Sequence, residues 1–158
     1  MPYDPEKHHR RSIRLRYYDY SNAGAYFVTI CTHNRSCFFG EVVEAKMQCS
    51  DAGMMVQAVW NDLPNRFPGV QTDAFITMPN HVHSVVVLPV QATLAPPASN
   101  QFSTRTYSLD DVVRVFKSLS ARHVNQLLNR SGTLWQRNYF EHIIRDADSL
   151  YRIRKYCG

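Results

Sequence analysis

Between Asp73 and Pro89 the chain reads DAFITMPNHVHSVVVLP. Two apolar, β-branched runs are broken at Pro79-Asn80, a dipeptide that favours a turn. Each run has the length and composition of a strand and is too short for an ordinary helix. The second run opens with two histidines one residue apart. Side chains at i and i+2 of a strand share a face. His81 and His83 therefore present two imidazoles side by side, while Val82 turns the other way, into a core. Imidazole is a common ligand for divalent metals. A same-face pair at the mouth of an apolar strand is thus a candidate metal site, with an ordinary polar strand face as the alternative. Two ligands do not make a tight site, so a further group must complete it.

The remaining segments supply the partners of these strands. AYFVTICTHN (Ala25–Asn34) alternates and is rich in β-branched and aromatic residues, so it reads as a strand. CFFGEVV (Cys37–Val43) ends in a short edge strand or turn. Ser50 or Asp51 can cap a helix in which Val56, Val59, Trp60 and Leu63 recur at helical spacing, and Pro64 stops it. Residues 90–106 are rich in Pro, Ser and Thr without a period and read as a mobile surface loop. Ser108 caps the next helix, with Asp110 and Asp111 in its first turn and Leu109, Val112, Val113, Phe116 and Leu119 as its buried stripe. TLWQRNYFEHII (Thr133–Ile144) is strand-like, and Asp146 caps a last helix, DADSLYRIRKY. No internal repeat is visible. Strands with two or three amphipathic helices predict an α+β fold: an antiparallel sheet with helices packed on one face.

A chain of 158 residues suits one compact domain, expected here as a basic arm over 1–16 and a single domain over 17–158. No apolar run approaches the roughly 20 residues that span a bilayer. The opening segment is polar and basic with no apolar stretch, so it does not read as a signal peptide, and the expected location is the cytoplasm. The four cysteines fall in no C-x-x-C pair and read as free thiols. The net charge of +5 divides unevenly: +3 over residues 1–16, −3 over 17–104 and +5 over 105–158. Basic ends around an acidic middle suggest a polyanion held between the arm and the C-terminal half, against a merely solvated surface.

The segment MPNHVHSVVV resembles the histidine–apolar–histidine motif of the HUH single-strand DNA nucleases and transposases. Three other blocks occur in order around it: RLRYYDYSNAGAYFVTICTHNRSCFFGE (Arg14–Glu41), VVRVFKSLSARHVNQ (Val112–Gln126) and LWQRNYFEHIIRDADSLYRIRKY (Leu134–Tyr156). The ordered set, from about Arg10 to the last residue, resembles the REP-associated tyrosine transposases. The histidine pair alone is a weak signal; the ordered set is specific.

That resemblance implies the ferredoxin-like, RRM-like antiparallel sheet of the HUH fold. It also implies one catalytic tyrosine on a C-terminal helix, which falls on Tyr156. On that helix Leu150, Ile153 and Cys157 form the apolar stripe, and Tyr156 lies on its flank, where it can reach the sheet while the helix stays packed. Spacing alone does not separate Tyr156 from Tyr139 or Tyr151. The implied chemistry is transesterification, leaving a 5′-phosphotyrosine and a free 3′-OH. A tyrosine hydroxyl ordinarily ionises near pH 10, so a cation on His81 and His83 would assist by polarising the phosphate. Two imidazoles suit zinc as well as magnesium; Mg2+ or Mn2+ is what the resemblance implies. It further places a third, polar metal ligand about one helical turn beyond the tyrosine, whereas this sequence ends two residues past Tyr156. A truncated copy, or a third ligand from elsewhere, is therefore expected, with Glu141 and His142 as candidates by residue type. The implied substrate is single-stranded DNA folded into a hairpin. Lys117, Arg122, Arg137, Arg14 and Arg16 are candidate phosphate contacts. Tyr17, Tyr18, Tyr139 and Phe140 are candidate stacking surfaces, with core packing as the alternative. A homodimer is compatible with the resemblance, as is a relative that only binds hairpin DNA without cutting it. An unrelated RNA-binding domain would want paired aromatics on its central strands, which VTICTH and HSVVVLP do not clearly offer.

Overall fold

The computed structural model describes residues 18–20, 22–89 and 107–157. The basic arm, with Arg14, Arg16 and Tyr17, lies outside the described residues, as does the whole of the loop expected over 90–106. The elements in chain order are β1 (Gly24–Cys31), a short 3-10 turn (His33–Arg35), β2 (Gly40–Val43), β3 (Lys46–Cys49), α1 (Asp51–Arg66), β4 (Gln71–Met78), β5 (His81–Leu88), α2 (Leu109–Leu127), β6 (Phe140–Ile144) and α3 (Ala147–Cys157).

Four strands form one antiparallel sheet in the order β4-β5-β1-β6. With α1 and α2 as crossovers, this is the βαββαβ order of a ferredoxin-like fold. β2 and β3 form a separate hairpin inserted between β1 and α1.

The two faces of the sheet differ. Val28 and Ile30 of β1 and Val82, Val86 and Leu88 of β5 are buried beneath α1 and α2. Trp60 of α1 joins the layers, meeting Phe75 of β4 and Phe116 of α2 with ring centroids 5.4 and 4.9 Å apart. Burying each such side chain contributes roughly 1.5–3 kcal/mol, so this layer carries most of the stability. The expected packing of helices on one face holds for α1 and α2. The third helix, α3, lies across the other face, where Tyr156 meets His83 and Arg154 meets Asp73 of β4.

The helix starts follow the sequence. Ser50 Oγ accepts the Gly53 amide, and Ser108 with Asp111 makes a reciprocal capping box at α2. Asp146 accepts the Ser149 amide at the head of α3. Pro64 does not stop α1, which runs on to Arg66. Proline removes one intrahelical donor, but so near the C-terminus the following turn still closes, with the Phe67 amide donating to Leu63 O at 3.0 Å. The strand expected over Thr133–Ile144 is confined to Phe140–Ile144, because Trp135 makes only a single bridge to Thr32 before the chain turns. Likewise β1 ends at Cys31, short of Asn34, and turns instead of extending.

Candidate metal and nucleophile site

The strand register builds the site. β5 pairs with β1 so that His83 faces Thr29 and His81 faces Cys31. The imidazoles lie on the α3 side of the sheet, and Val82 is buried on the other, as the alternation requires. The two Nε2 atoms are 3.1 Å apart. Each Nδ1 is held from behind: His81 Nδ1 lies 2.8 Å from Asn80 Oδ1, and His83 Nδ1 lies 2.7 Å from Thr29 Oγ1. Asn80 Oδ1 can only accept, so a neutral His81 carries its proton on Nδ1 and offers a lone pair at Nε2. With His81 Nε2 unprotonated, the 3.1 Å contact is a hydrogen bond donated by His83 Nε2–H, so His83 Nδ1 accepts from the Thr29 hydroxyl; a bound cation would take the place of that Nε2 proton. Phe27 stacks on the His83 ring with centroids 5.4 Å apart.

Both histidines have a lowered proton affinity. Burial, and then the nearby Arg35 charge, lowers the proton affinity of His81. Burial, and then His81, pushes His83 down to about 4. Neutral imidazoles with Nδ1 oriented by a hydrogen bond are what a metal ion needs from a histidine pair. The two Nε2 atoms converge on one point, so His81 and His83 would be the residues to hold such an ion. Among the described residues no group of three His, Cys, Asp or Glu side chains is positioned to hold a metal. Glu141, a candidate by residue type, is turned away: it stands in register with Val28 on the α1–α2 side, and the Tyr20 hydroxyl donates to it at 2.6 Å. His142 is on the α3 side, but in register with Phe27, on the far side of β1 from His83.

The tyrosines are separated by geometry. Tyr139 is buried and donates to Asp110 at 2.5 Å, so it is a core residue and not a stacking surface. Tyr151 is exposed on α3. Tyr156 is 65% exposed, and its ring meets His83 edge-on with centroids 5.5 Å apart. Leu150 and Ile153 are half-buried and Cys157 is buried, so the helix rests on the expected stripe with Tyr156 on its flank. Arg154, one half-turn earlier, clamps Asp73 of β4 with Nε at 3.0 Å from Oδ1 and Nη2 at 2.5 Å from Oδ2.

The expected phosphate contacts are dispersed. Lys117 Nζ donates to the carbonyl oxygens of Gln136, Arg137 and Asn138 at 2.6, 3.3 and 3.4 Å, tying α2 to the turn that enters β6. Arg137 is exposed in a cleft of about 470 Å³ shared with Asp110, Lys117 and Tyr139. Arg122 is exposed on α2. Of the stacking candidates, Tyr18 packs edge-on against Tyr20, and Phe140 is exposed and in register with Thr29. Thr29, Asn80, Asp73 and Arg154 escaped the sequence reading. Asn80 was within reach of it, since it directly precedes His81; the other three act through the strand register and the path of α3.

An uncharacterised protein of Haemophilus influenzae is 38% identical to this chain over 169 residues, an alignment that covers 98% of this chain and 89% of that protein. The chain belongs to the family of this Haemophilus protein. No family model matches the sequence. Among solved structures, a REP-associated tyrosine transposase bound to a REP hairpin superposes with a TM-score of 0.58 at 18% identity, over 91% of this chain and 69% of that one. A candidate transposase of Deinococcus radiodurans superposes with a TM-score of 0.50 at 19% identity, over 90% and 93% of the two chains. The family member described here therefore has the REP-associated tyrosine transposase fold, in agreement with the resemblance drawn from its motifs. Among the described residues no helix is long and apolar enough to cross a membrane.

Proposed function

We propose that this protein is a tyrosine transposase that cleaves and rejoins single-stranded DNA at a hairpin. The observation that carries the reading is the meeting of Tyr156 with the His81–His83 pair, from elements far apart in sequence. In this reading the Tyr156 hydroxyl attacks a phosphodiester. A bond forms from the tyrosine oxygen to phosphorus, the bond from phosphorus to the 3′ oxygen breaks, the tyrosine hydroxyl gives up its proton to solvent, and the leaving oxygen takes one up. The strand is left with a 5′-phosphotyrosine and a free 3′-OH, and the reverse step at a new 3′-OH rejoins it. His81 and His83 would hold Mg2+ or Mn2+, which when bound supplies Lewis-acid polarisation of the phosphate. Asn80 and Thr29 keep the two imidazoles aimed at one point, and the Arg154–Asp73 clamp keeps Tyr156 over it. Phe140, exposed on the same face, offers a stacking surface for an unpaired base. Arg137 and Arg122, with Arg14 and Arg16 of the arm, offer phosphate contacts along the duplex stem. Lys117 already holds three carbonyls, so in this reading it shapes the turn that carries Arg137.

The test is a covalent-adduct assay. End-labelled hairpin DNA with a single-stranded flank is incubated with the protein and Mn2+ or Mg2+, then denatured and resolved on a gel. The expected result is a protease-sensitive shifted band that survives Tyr151→Phe and is lost in Tyr156→Phe and His81→Ala. Hairpin binding without any adduct would replace this reading with a protein that holds hairpin DNA and does not cut it. Neither binding nor an adduct would end both.

A further inference from the structure

The segment between β1 and the rest of the chain contains a conflict between local conformation and residue type. After Cys31 the backbone reverses through His33–Asn34–Arg35–Ser36, closed by the Ser36 amide donating to His33 O at 3.3 Å. Both central residues have positive φ, 55° at Asn34 and 53° at Arg35. Two positive φ values in succession are the mark of a type I′ turn, whose favoured sequence is Asn-Gly. Asn34 suits its position. Arg35 stands where glycine would be favoured, and an L-residue with a side chain pays roughly 1 kcal/mol or more to remain there.

The turn is held against the candidate site. Thr32, fully buried, donates its hydroxyl to Ser36 O at 2.8 Å and Asn80 O at 3.0 Å, and its amide also donates to Asn80 O. Asn80 in turn donates to Arg35 O at 3.5 Å through Nδ2 while its Oδ1 meets His81. One residue thus ties the backbone of Arg35 to the ring of His81. The Arg35 side chain is exposed, forms no ion pair among the described residues, and lies close enough for its charge to act on Cys31 and His81. Arginine has five donors in a planar fork suited to phosphate oxygens and stays charged under all relevant conditions.

We propose that Arg35 binds a phosphate of single-stranded DNA next to the His81–His83 pair, and that the strained turn holds its guanidinium there. This rests on the reading of the protein as a single-strand DNA transposase. Arg35 acts on the substrate backbone and not on a base, so its contribution is independent of sequence and falls with salt.

The test pairs stability with binding in the full chain. Arg35→Gly relieves the backbone strain, so its urea midpoint should equal or exceed that of the unmodified protein. Its affinity for a labelled hairpin with a single-stranded flank should fall by about tenfold, and the slope of log affinity against log salt should become shallower by about 0.7–0.9, the amount of one phosphate contact. Arg35→Lys, which keeps the charge but not the fork, should recover part of the affinity and the whole of the slope. A stable Arg35→Gly protein with unchanged affinity and slope would overturn the inference while leaving the transposase reading intact. A lower urea midpoint in Arg35→Gly would overturn the strain argument that carries it. Failure of the unmodified protein to bind hairpin or single-stranded DNA would remove the transposase reading and this inference with it.

Discussion

Arg154 of α3 and Asp73 of β4 form a two-pronged ion pair across the open face of the sheet, two residues before Tyr156. The Arg154 guanidinium, opposed by partial burial, holds the Asp73 carboxyl below the usual carboxylate range. An exposed ion pair is ordinarily worth under about 1 kcal/mol to stability, so its removal should spare the fold. Its effect should appear in where Tyr156 sits.

Asp73→Asn is therefore expected to slow adduct formation by about tenfold, the loss of a well-oriented reacting group, while hairpin affinity and the urea midpoint barely change. The reversed pair, Asp73→Arg with Arg154→Asp, should regain part of the rate. Equal rates in Asp73→Asn and the unmodified protein would show that the clamp does not position the tyrosine. Failure of the reversed pair to recover any rate would point to the same conclusion.

Thr29 would not itself hold the metal, yet it orients the proposed ligand His83 from behind. Outer hydrogen bonds of this kind typically change metal affinity by about 10–100-fold. Thr29→Val keeps the β-branched shape of a strand residue and removes the hydroxyl. Mn2+ titration by calorimetry should show affinity falling within that range, with circular dichroism unchanged. An unaltered affinity would mean that packing against Phe27 alone is enough to orient the ring.

The histidine pair should make the metal-free protein acid-sensitive. His83 is pushed down to about 4 by burial, against about 6.5 for an exposed histidine. Between these values the unfolded chain binds more protons than the folded one. Stability therefore rises with pH through that window and is lost as pH falls through it. His81 is shifted in the same direction and adds to the effect. In EDTA, the urea midpoint should drop between pH 7 and pH values near 4.5, and His83→Gln should reduce the drop. A midpoint whose pH dependence is the same in both proteins would contradict the assignment.

Gly53 lies inside α1, where alanine is ordinarily favoured by about 1 kcal/mol. Here the opposite is expected. A Cβ at Gly53 would lie 2.3 Å from the Phe39 carbonyl oxygen, which also accepts the Ser50 amide at 2.8 Å. Gly53→Ala should cost about 1–3 kcal/mol, the usual range for overpacking, measured by urea denaturation. A stabilised variant would mean that the β1–α1 connection gives way more easily than its hydrogen bonds suggest.

The sequence by itself determined the features that depend on near neighbours. The period of two placed His81 and His83 on one face and Val82 on the other. Serine and aspartate at helix starts marked all three helices, because a cap is a contact over three residues. The amphipathic stripe of α3 placed Tyr156 on a flank. What failed at this level failed for local reasons too: Pro64 sits in a last turn that tolerates it, and Thr133–Ile144 has strand residues but only a short partner edge.

The tertiary structure decided which of these features meet. Which of Tyr139, Tyr151 and Tyr156 meets the histidines depends on where α3 crosses the sheet, and Asp73 pairs with α3 from a strand far earlier in the chain. Thr29 becomes a partner of His83 only through the β1–β5 register, and Glu141 is removed from the site by the β1–β6 register. Lys117 looks the same in sequence whether it faces phosphate or backbone carbonyls. A one-residue change of register exchanges the faces of a strand, and a fraction of a turn swings a helix side chain away, so contacts between distant elements are decided by packing and not by any local pattern.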